Sequence, residues 1–326
     1  MQVKYKEDLD YFILKTLKEK NDYVSGEELA HILSLSRQAL FKRINKLAEK
    51  GYQIIGVPHL GYRLLSLPDK LYPQEIKYKL NTKFIARNIY YYPVVSSTQD
   101  IAWQLGLKQE KEGALIVSER QSKGRGRLKR KWISPIGGIY FSLLLRPQFL
   151  LPTEIPQITL LSGLACVYGI RKSTSLECLL KWPNDILIEE KKVGGILCEV
   201  SCEQDKINFV IVGVGINVNS RDLPPQATSL FLYARKKFLR VEILKNILEE
   251  MERLYEKAKR GGFKKILKEW ESFCSLWGKR AKVKFLDKEI EGQAQGIDER
   301  GYLILRKDNG LLEKVCAGDV IKVNVN

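Results

Sequence analysis

The 326-residue sequence predicts an α+β protein made of three consecutive units. Short helices followed by two short strands fill residues 1–66, whereas residues 74–273 mix helices with strands that often follow one another as hairpins. Residues 276–326 contain only short strands separated by turns. Because the strands of the middle unit come in hairpins as well as alternating with helices, a mixed sheet is favoured over a doubly wound parallel sheet.

The amino-acid composition narrows the range of partners. Fifty-five Lys and Arg against 38 Asp and Glu give a formal charge of +17, which favours a polyanionic or acidic partner. The sequence shows no secretory signal and no run of about 20 apolar residues, so we expect no membrane partner. Six cysteines without a Cys-x-x-Cys pair predict reduced thiols and a cytoplasmic location.

Histidine is confined to the first unit, as His31 and His59. This distribution excludes a histidine-based catalytic triad, or a metal site built from histidines, from the rest of the chain. We therefore expect any chemistry there to depend on Lys, Arg, carboxylates and backbone groups, without a dedicated metal site.

The first unit has the order of elements found in a DNA-binding module. Apolar residues recur at helical spacing in the first helix: Leu9, Phe12, Ile13 and Leu17. The capping box Ser25-Gly-Glu-Glu28 opens a second helix, and a third helix ends at Gly51. Two strands are predicted at 53–57 and 61–65. Two helices joined by a tight turn and followed by a hairpin predict a winged helix-turn-helix over residues 1–66.

The exposed side of the third helix carries the residues expected to contact DNA. They are Arg37, Gln38, Lys42, Arg43 and Lys46. Arg and Gln can read base edges in the major groove, and Lys can hold phosphates. The alternative is an ordinary solvated basic face. Because a single module of this size buries little surface, stable binding is expected to need a dimer on a two-part DNA site.

Hydrophobic patterning sets the elements of the other two units, which follow a proline-containing linker at 67–73. The middle unit, 74–273, is predicted to have strands at 89–92, 114–118, 139–145, 178–182, 185–188, 195–201 and 209–215, and helices at 98–105, 155–172, 241–259 and 264–273. The third unit, 276–326, is predicted to have strands at 281–285, 290–297, 303–305, 312–315 and 320–323, with turns at Asp287-Lys288, Asp298-Glu-Arg-Gly301 and Asp308-Asn-Gly310.

One loop of the middle unit has the composition of an anion-binding segment. Six basic side chains fall within residues 123–131 and are interleaved with Gly124 and Gly126, directly before Trp132. Glycines let a backbone approach a ligand closely, arginine forks suit phosphate oxygens, and the indole offers a π face. Such a loop repels itself when empty, so it is expected to be mobile until an anion binds. The alternatives are a solvated basic loop or an RNA-binding tract.

Three further motifs indicate a site at strand ends. Lys181-Trp-Pro-Asn-Asp185 places an ammonium at the end of an apolar strand, which is costly unless an anion meets it, the alternative being a lysine that reaches the surface. Lys191-Lys-Val-Gly-Gly-Ile196 has paired glycines opening a strand, which mark a bulge or a close approach. Gly213-Val-Gly-Ile-Asn217 ends an apolar strand. It is not the Gly-x-Gly-x-x-Gly motif of dinucleotide-binding proteins, because Val218 stands at the position of the third glycine. The sequence also lacks the P-loop motif of nucleotide-binding proteins.

Together, and in this order, these motifs resemble those of biotin–protein ligases. With the N-terminal module, the whole chain resembles the bifunctional biotin ligase and biotin-operon repressor family. The resemblance implies a class II synthetase-like mixed sheet in the middle unit and an SH3-like barrel in the third. It also implies that biotin and ATP form biotinyl-adenylate, and that a carrier-protein lysine then takes the biotinyl group. The cofactors implied are ATP and Mg²⁺, with the ion held by phosphates and biotin serving as substrate and effector.

The resemblance also implies roles for individual residues. Ser97, Thr98 and Gln121 would bind the ureido ring of biotin, although Gln99 stands where the family usually has Asn. Arg125 and Arg127, with the backbone of Gly124 and Gly126, would hold the adenylate. Lys181 would meet the phosphoryl and carboxylate oxygens. Gly194, Gly195 and Ile196 would line the biotin tail, and Trp132, Asn184 and Asn217 the adenylate, with the loop 220–228 folding over it.

The partners implied are a biotin carboxyl carrier protein, operator DNA and a second copy in a ligand-linked homodimer. Two alternatives remain. One is a transcription regulator that senses biotin without catalysis, which the presence of Lys181, Arg125 and Arg127 argues against. The other is a lipoate–protein ligase, which the Gly-Arg-Gly-Arg and Lys-Trp-Pro-Asn-Asp motifs argue against.

Overall fold

The computed structural model describes residues 3–4, 9–285 and 288–324. In this part of the chain the helices are α1 (Leu9–Lys20), α2 (Gly26–Ile32), α3 (Arg37–Glu49), α4 (Pro73–Lys77), α5 (Thr98–Leu107), α6 (Ile155–Thr174), α7 (Leu230–Ala234), α8 (Arg240–Gly261) and α9 (Lys264–Glu271), with short 3₁₀ turns at Arg127–Lys129 and Pro152–Glu154. Among the described helices, none combines the length and apolar character needed to cross a membrane.

The strands of the described residues belong to three sheets. They are β1 (Val3–Lys4), β2 (Gln53–Val57), β3 (Gly61–Ser66), β4 (Ile89–Tyr92), β5 (Leu115–Ser118), β6 (Ile139–Leu145), β7 (Leu179–Lys181), β8 (Asp185–Ile188), β9 (Lys191–Glu203), β10 (Lys206–Ile216), β11 (Arg280–Phe285), β12 (Lys288–Ile297), β13 (Leu303–Arg306), β14 (Leu312–Val315) and β15 (Asp319–Asn324). The predicted turn at Asp287 lies outside the described residues.

The first unit packs α1, α2 and α3 against the antiparallel hairpin β2–β3. Both expected caps are present: the hydroxyl of Ser25 accepts a hydrogen bond from the N–H of Glu28 at 3.0 Å, and that of Ser36 accepts one from Ala39 at 3.2 Å. Of the apolar residues at helical spacing in α1, Phe12 is 41% exposed. The buried stripe of α1 follows Ile13, Leu14 and Leu17, and Phe12 lies on the opposite side of the helix.

The middle unit is a mixed sheet, as the hairpin pattern predicted, and helices cover both of its faces. Its strand order is β1-β4-β5-β6-β10-β9-β8-β7, and β4–β5 is the parallel pair among the described neighbours. Helices α6, α8 and α9 pack on one face, and α5 packs on the other. The short strand β1 was not predicted from the sequence; it pairs with β4 at the edge of the sheet.

The paired glycines of β9 lie inside the strand and do not open it, since β9 already begins at Lys191. The pairing with β8 is irregular at this point: Gly194 faces Ile186, and Lys192 faces Leu187. Val193 is therefore an extra residue, which makes a β-bulge. Because side chains alternate between the two faces of a strand, the bulge moves Lys192 to the same face as Gly195.

The third unit is a five-stranded antiparallel sheet in the order β14-β13-β12-β11-β15. Its core residues, including Ala281 and Leu305, belong to the same hydrophobic cluster as the core of the middle unit. The indole of Trp182 donates a hydrogen bond to the carbonyl of Gly301 at 3.0 Å. This packing brings Gly318 and the start of β15 to the edge of the middle sheet.

Candidate functional site

A cavity of about 430 Å³ lies on the α5 face of the middle sheet, beside the first turn of α5. Most of the site residues expected from the sequence line it: Ser97, Thr98, Gln121, Arg125, Gly126, Arg127, Trp132, Lys181, Asn184, Gly195, Ile196 and Asn217. Two of the expected residues do not. Gly124 packs against the backbone of Trp132, and Gly194 lies within the sheet against Ile186.

Neutral polar side chains surround one end of the cavity. The Oε1 atom of Gln121 accepts hydrogen bonds from the N–H of Thr98 at 2.8 Å and from its hydroxyl at 3.2 Å. Gln99 is buried and donates to Glu199 at 2.9 Å. By contrast, the hydroxyl of Ser97 is buried and has no partner in the described structure. Buried polar atoms without partners are costly, so this end is suited to a ligand with neutral hydrogen-bonding groups.

The arginines of the basic loop are paired with carboxylates from distant parts of the chain. Arg125 lies 3.0 Å from both Asp100 and Glu199. Arg127 lies 3.3 Å from Asp319 and donates to the carbonyl of Gly318 at 3.0 Å. The expectation of a self-repelling loop is therefore wrong for these arginines, because it counted only the charges of the loop itself.

The third unit supplies the carboxylate that holds two of these arginines. Arg130 lies 2.6 Å from the second carboxylate oxygen of Asp319. The two groups form an ion pair, but their geometry is not that of a hydrogen bond. Burial lowers the pKa of Arg127, an effect that the carboxylates of Asp319 and Asp185 oppose. At the tip of the loop, Leu128 and Lys129 have positive φ values of 50° and 59°, which costs non-glycine residues about 1–2 kcal/mol each. The ion pairs thus hold a strained loop over the cavity.

The indole of Trp132 lies on the floor of the cavity. A Cβ atom built on Gly215 would be 2.4 Å from Trp132 Nε1, so only glycine permits this close approach. Gly195 lies beside Gly215, and a Cβ atom built on Gly195 would be 3.4 Å from the Trp132 ring. The Nε1 atom is buried without a hydrogen-bond partner in the described residues, which leaves a donor for a ligand or for a rearranged loop.

Of the lysines that line the cavity, Lys181 and Lys192 have ammonium groups held by identified partners. Lys181 Nζ, expected from the sequence, donates to the carbonyl of Val320 at 3.2 Å on the rim. Lys192 Nζ lies 2.5 Å from Asp185 Oδ1 and 5.4 Å from the centre of the Trp132 ring, above the floor. Sequence reasoning noted the segment that contains Lys192 but gave that lysine no role. The signal that could have found it is the bulge indicated by the two glycines, which brings Lys192 to the cavity face.

The basic side of α3 is only partly free. Gln38, Lys42 and Lys46 are exposed to solvent. Arg43, in contrast, lies 2.8 Å from the buried carboxylate of Asp10 on α1. Burial by itself raises the pKa of Asp10, but hydrogen bonds from Lys50 and Arg43 outweigh it and the pKa is lowered.

The other arginine expected to contact DNA, Arg37, pairs with Glu27 at 3.1 Å in full exposure to solvent. An exposed ion pair of this kind contributes little stability and is easily exchanged. The geometry therefore favours Gln38, Lys42 and Lys46 as contacts to an anionic partner and gives Arg43 a structural role within the unit. Within residues 3–4, 9–285 and 288–324, no group of three or more His, Cys, Asp or Glu side chains could hold a metal ion.

Models of three known families match successive parts of the chain. The HTH domain matches residues 11–63, the biotin/lipoate A/B protein ligase family matches residues 91–217, and the biotin protein ligase C-terminal domain matches residues 277–323. The order of these matches is the order of the three units.

Relatives similar over nearly the whole chain carry a double name. A protein of Bacillus subtilis (strain 168) named bifunctional ligase/repressor BirA is 38% identical over 307 residues, which are 92% of this chain and 94% of that one. The protein of the same name from Escherichia coli (strain K12) is 28% identical over 94% of this chain and 95% of its own. The solved structure of the biotin protein ligase from Aquifex aeolicus, in complex with biotin and ATP, is 34% identical, with a TM-score of 0.64 over 71% of this chain and 97% of that one.

Proposed function

This chain belongs to the bifunctional biotin protein ligase and repressor family, and we propose that it performs both activities. As an enzyme it is an ATP-dependent biotin–protein ligase. As a regulator it is a DNA-binding repressor of biotin genes. The observation that carries the enzymatic half is the single cavity in which a neutral polar end meets a cluster of cations.

The reaction proceeds in two steps that need no protein nucleophile. A carboxylate oxygen of biotin attacks the α-phosphorus of ATP, and pyrophosphate leaves. The ε-amine of a carrier-protein lysine then attacks the carbonyl carbon of the mixed anhydride; AMP leaves, and the amine loses a proton. The enzyme has to align the reactants, balance the phosphate charge and exclude water. A body without histidine is consistent with these tasks.

We assign the neutral end of the cavity to biotin. The ureido ring has one carbonyl acceptor and two N–H donors and carries no charge. The unpaired hydroxyl of Ser97 and the Thr98–Gln121 pair offer both donors and acceptors of this kind. Gln99 acts indirectly, because its amide is already bonded to Ser142 and Glu199. The cavity floor at Gly195 and Ile196 would then lie along the biotin tail.

We assign the ammonium at the reacting phosphorus to Lys192, with Lys181 in a secondary role at the rim. Lys192 Nζ stands over the Trp132 ring on the floor of the cavity, and we propose that the carboxylate and the α-phosphate meet there. Asp185 holds it at 2.5 Å, so its position is set before ligands bind. Lys181 is directed to the carbonyl of Val320 and would act by closing the third unit over the site.

We assign the cationic end to the adenylate and the triphosphate. Arg125, Arg127 and Arg130 would exchange their carboxylate partners for phosphate oxygens. Trp132, Asn184 and Asn217, with the segment 223–227, would form the wall around the nucleoside. Mg²⁺ would be held by phosphate oxygens, because the nearby carboxylates of Asp185 and Asp319 are already paired with Lys192 and with the arginines.

The proposal extends to domains and partners. Residues 1–66 act as a winged helix-turn-helix on operator DNA, residues 74–273 as a class II synthetase-like catalytic domain, and residues 276–326 as an SH3-like domain. A biotin carboxyl carrier protein accepts the biotin in the cytoplasm. Ligand-linked formation of a homodimer would pair two copies of α3, whose exposed Gln38, Lys42 and Lys46 support a DNA contact.

Exchange of labelled pyrophosphate into ATP tests the enzymatic half, because only an enzyme that forms the adenylate catalyses it. We expect exchange that depends on biotin and is weak or undetectable with lipoate in its place. Exchange with neither acid would leave a non-catalytic biotin sensor, and exchange with lipoate alone would support a lipoate–protein ligase. A gel shift with DNA from upstream of biotin genes, with and without biotin plus ATP, tests the regulatory half.

A further inference from the structure

A buried arginine joins the segment 67–73, which connects the first two units, to segments that lead into the pocket. Arg240, at the start of α8, is 1% exposed. Its guanidinium donates to Asp69 Oδ1 at 2.7 Å, to Glu119 Oε2 at 2.8 Å and to the carbonyl of Gly138 at 2.8 Å. A buried cation is tolerated only where its charge and hydrogen bonds are satisfied. Arg240 therefore holds three separate segments in one arrangement, which we call the Arg240 clamp.

The connecting segment is fixed at more than one point of the clamp. The second carboxylate oxygen of Glu119 accepts a hydrogen bond from the N–H of Leu71 at 2.7 Å, and the Leu71 side chain is fully buried. The carbonyl of Asp69 accepts another bond from Arg240, at 2.5 Å. The segment was expected to be a simple linker. In the structure its backbone is bonded to the middle unit on both sides of Lys70.

The clamp also touches the segments that line the pocket. Glu119 stands two residues before Gln121 in the chain. Asp69 Oδ2 accepts a hydrogen bond from the amide of Asn219 at 3.1 Å, and the N–H of Asn219 donates to Gly137 at 2.7 Å. Asn219 in turn stands two residues after Asn217, whose Oδ1 atom is buried without a partner. A ligand that orders Gln121 and the loop after Asn217 therefore also orders the acceptors around Arg240.

Helix α4, which directly follows the connecting segment, is bonded to the first unit. Glu75, buried in α4, lies 2.6 Å from Lys18 Nζ and accepts a hydrogen bond from the hydroxyl of Tyr52 at 2.9 Å. The amide of Gln74 donates to the same hydroxyl at 3.1 Å. Lys18 belongs to α1, and Tyr52 directly precedes the hairpin β2–β3. Bonds to the Arg240 clamp at residues 69–71 and bonds to the DNA-binding module at residues 74–75 thus lie next to each other in the chain.

We propose that the Arg240 clamp couples occupancy of the pocket to the placement of the DNA-binding module. Arg240 is a positioning residue in this device and does not touch the ligand. Coupling of this kind is reciprocal: a ligand that stabilises the clamp favours one placement of the module, and DNA that selects this placement tightens ligand binding. The inference rests on the proposed function for the identity of the ligand and of the DNA.

The test uses Asp69→Ala in the full chain, because the Asp69 side chain is 43% exposed and its loss removes the carboxylate while leaving Arg240 bonded to Glu119, to Gly138 and to the backbone carbonyl of residue 69. Trypsin cleavage after Lys70, followed by mass spectrometry, reports opening of the connecting segment. In the unchanged protein, biotin with ATP should slow this cleavage at least about fivefold, the lower end of usual coupling factors. In Asp69→Ala the slowing should be nearly lost. Asp308→Ala, which also removes an aspartate paired with an arginine, should behave as the unchanged protein.

Two further measurements separate this inference from the proposed function. Biotin-dependent pyrophosphate exchange should be unchanged in Asp69→Ala, while the ligand-dependent gain in DNA affinity should be lost. If the unchanged protein shows exchange but Asp69→Ala keeps full ligand protection at Lys70, the clamp does not couple the sites. If biotin with ATP does not change the rate of cleavage after Lys70 in the unchanged protein, the inference fails whether or not the protein binds DNA. Absence of exchange in the unchanged protein overturns the proposed enzymatic function instead.

Discussion

Helix α3 and the loop 123–131 are both rich in basic residues, but their charges are held in different ways. On α3, Lys42 and Lys46 face solvent and make no ion pair within the described residues. In the loop, Arg125 and Arg127 face carboxylates that come from other elements, Glu199 and Asp319 among them. The helix can therefore meet a polyanion without rearrangement, whereas the loop can do so only by exchanging partners.

This difference fits the two kinds of anion that the regions are proposed to bind. A DNA backbone presents a fixed lattice of phosphates, and a regular helix with free lysines contacts it directly. A triphosphate has to be oriented against a second reactant, so the position of each guanidinium matters more than the total charge. Partly exposed ion pairs contribute only about 0–1 kcal/mol each, so their exchange for phosphate costs little.

The largest effect on pyrophosphate exchange is expected when Lys192 is replaced. Comparing this lysine with its neighbours tests whether the function of a cation in the pocket depends on its position or only on its charge. Lys192→Met keeps the aliphatic stem over Trp132 and removes the ammonium. Pyrophosphate exchange should fall about 100-fold or more, as for other groups that stabilise developing charge. Lys181→Met should cost clearly less, and Lys191→Met, which alters an exposed neighbour, should change exchange little. A larger loss at Lys181 than at Lys192 would contradict the assignment made here.

Much of the fold could be predicted because its signals are local. The caps at Ser25 and Ser36 and the apolar spacing of α8 require only neighbouring residues, and the structure confirms these elements. Errors arose where the local signal had two meanings. The glycines at 194 and 195 were taken as the start of a strand. In the structure β9 begins at Lys191, and Gly195 lies inside the strand where the Trp132 ring packs against it.

The site was less predictable, for reasons of distance along the chain. Motifs within a few residues indicated Lys181, Arg127 and Trp132, and the structure brings these residues to one cavity. Asp319, which holds Arg127, lies nearly 200 residues away, so its role depends on how the third unit packs. Lys192 was hidden by a bulge that changes the face of the strand. Neither a partner in another unit nor a shift in register is visible in a short sequence window.

An intermediate effect is expected for Arg127→Ala, which tests the idea that the loop binds its ligand by exchange of partners. Loss of one charge-assisted contact costs about 1.5–3 kcal/mol, so the rate at which biotinyl-adenylate leaves should rise about 10- to 100-fold. Stopped-flow release of the adenylate measures this rate. Lys123→Ala removes an exposed cation of the same loop and serves as the matched control. Equal effects of the two variants would mean that only the net charge of the loop matters.

The smallest effect is expected on α3, where the free and the paired cations can be compared within one helix. If Lys42 contacts a phosphate, Lys42→Ala should weaken DNA binding and reduce the slope of log affinity against log salt by about 0.9, the value for one released counterion. Arg43→Ala should leave this slope unchanged, because Arg43 is bound to Asp10. Its cost should appear in the stability of the first unit, because the buried Asp10 then keeps, among the described residues, only Lys50 as a partner. Equal changes of slope in both variants would show that Arg43 leaves Asp10 when DNA binds, and that the helix then also works by exchange of partners.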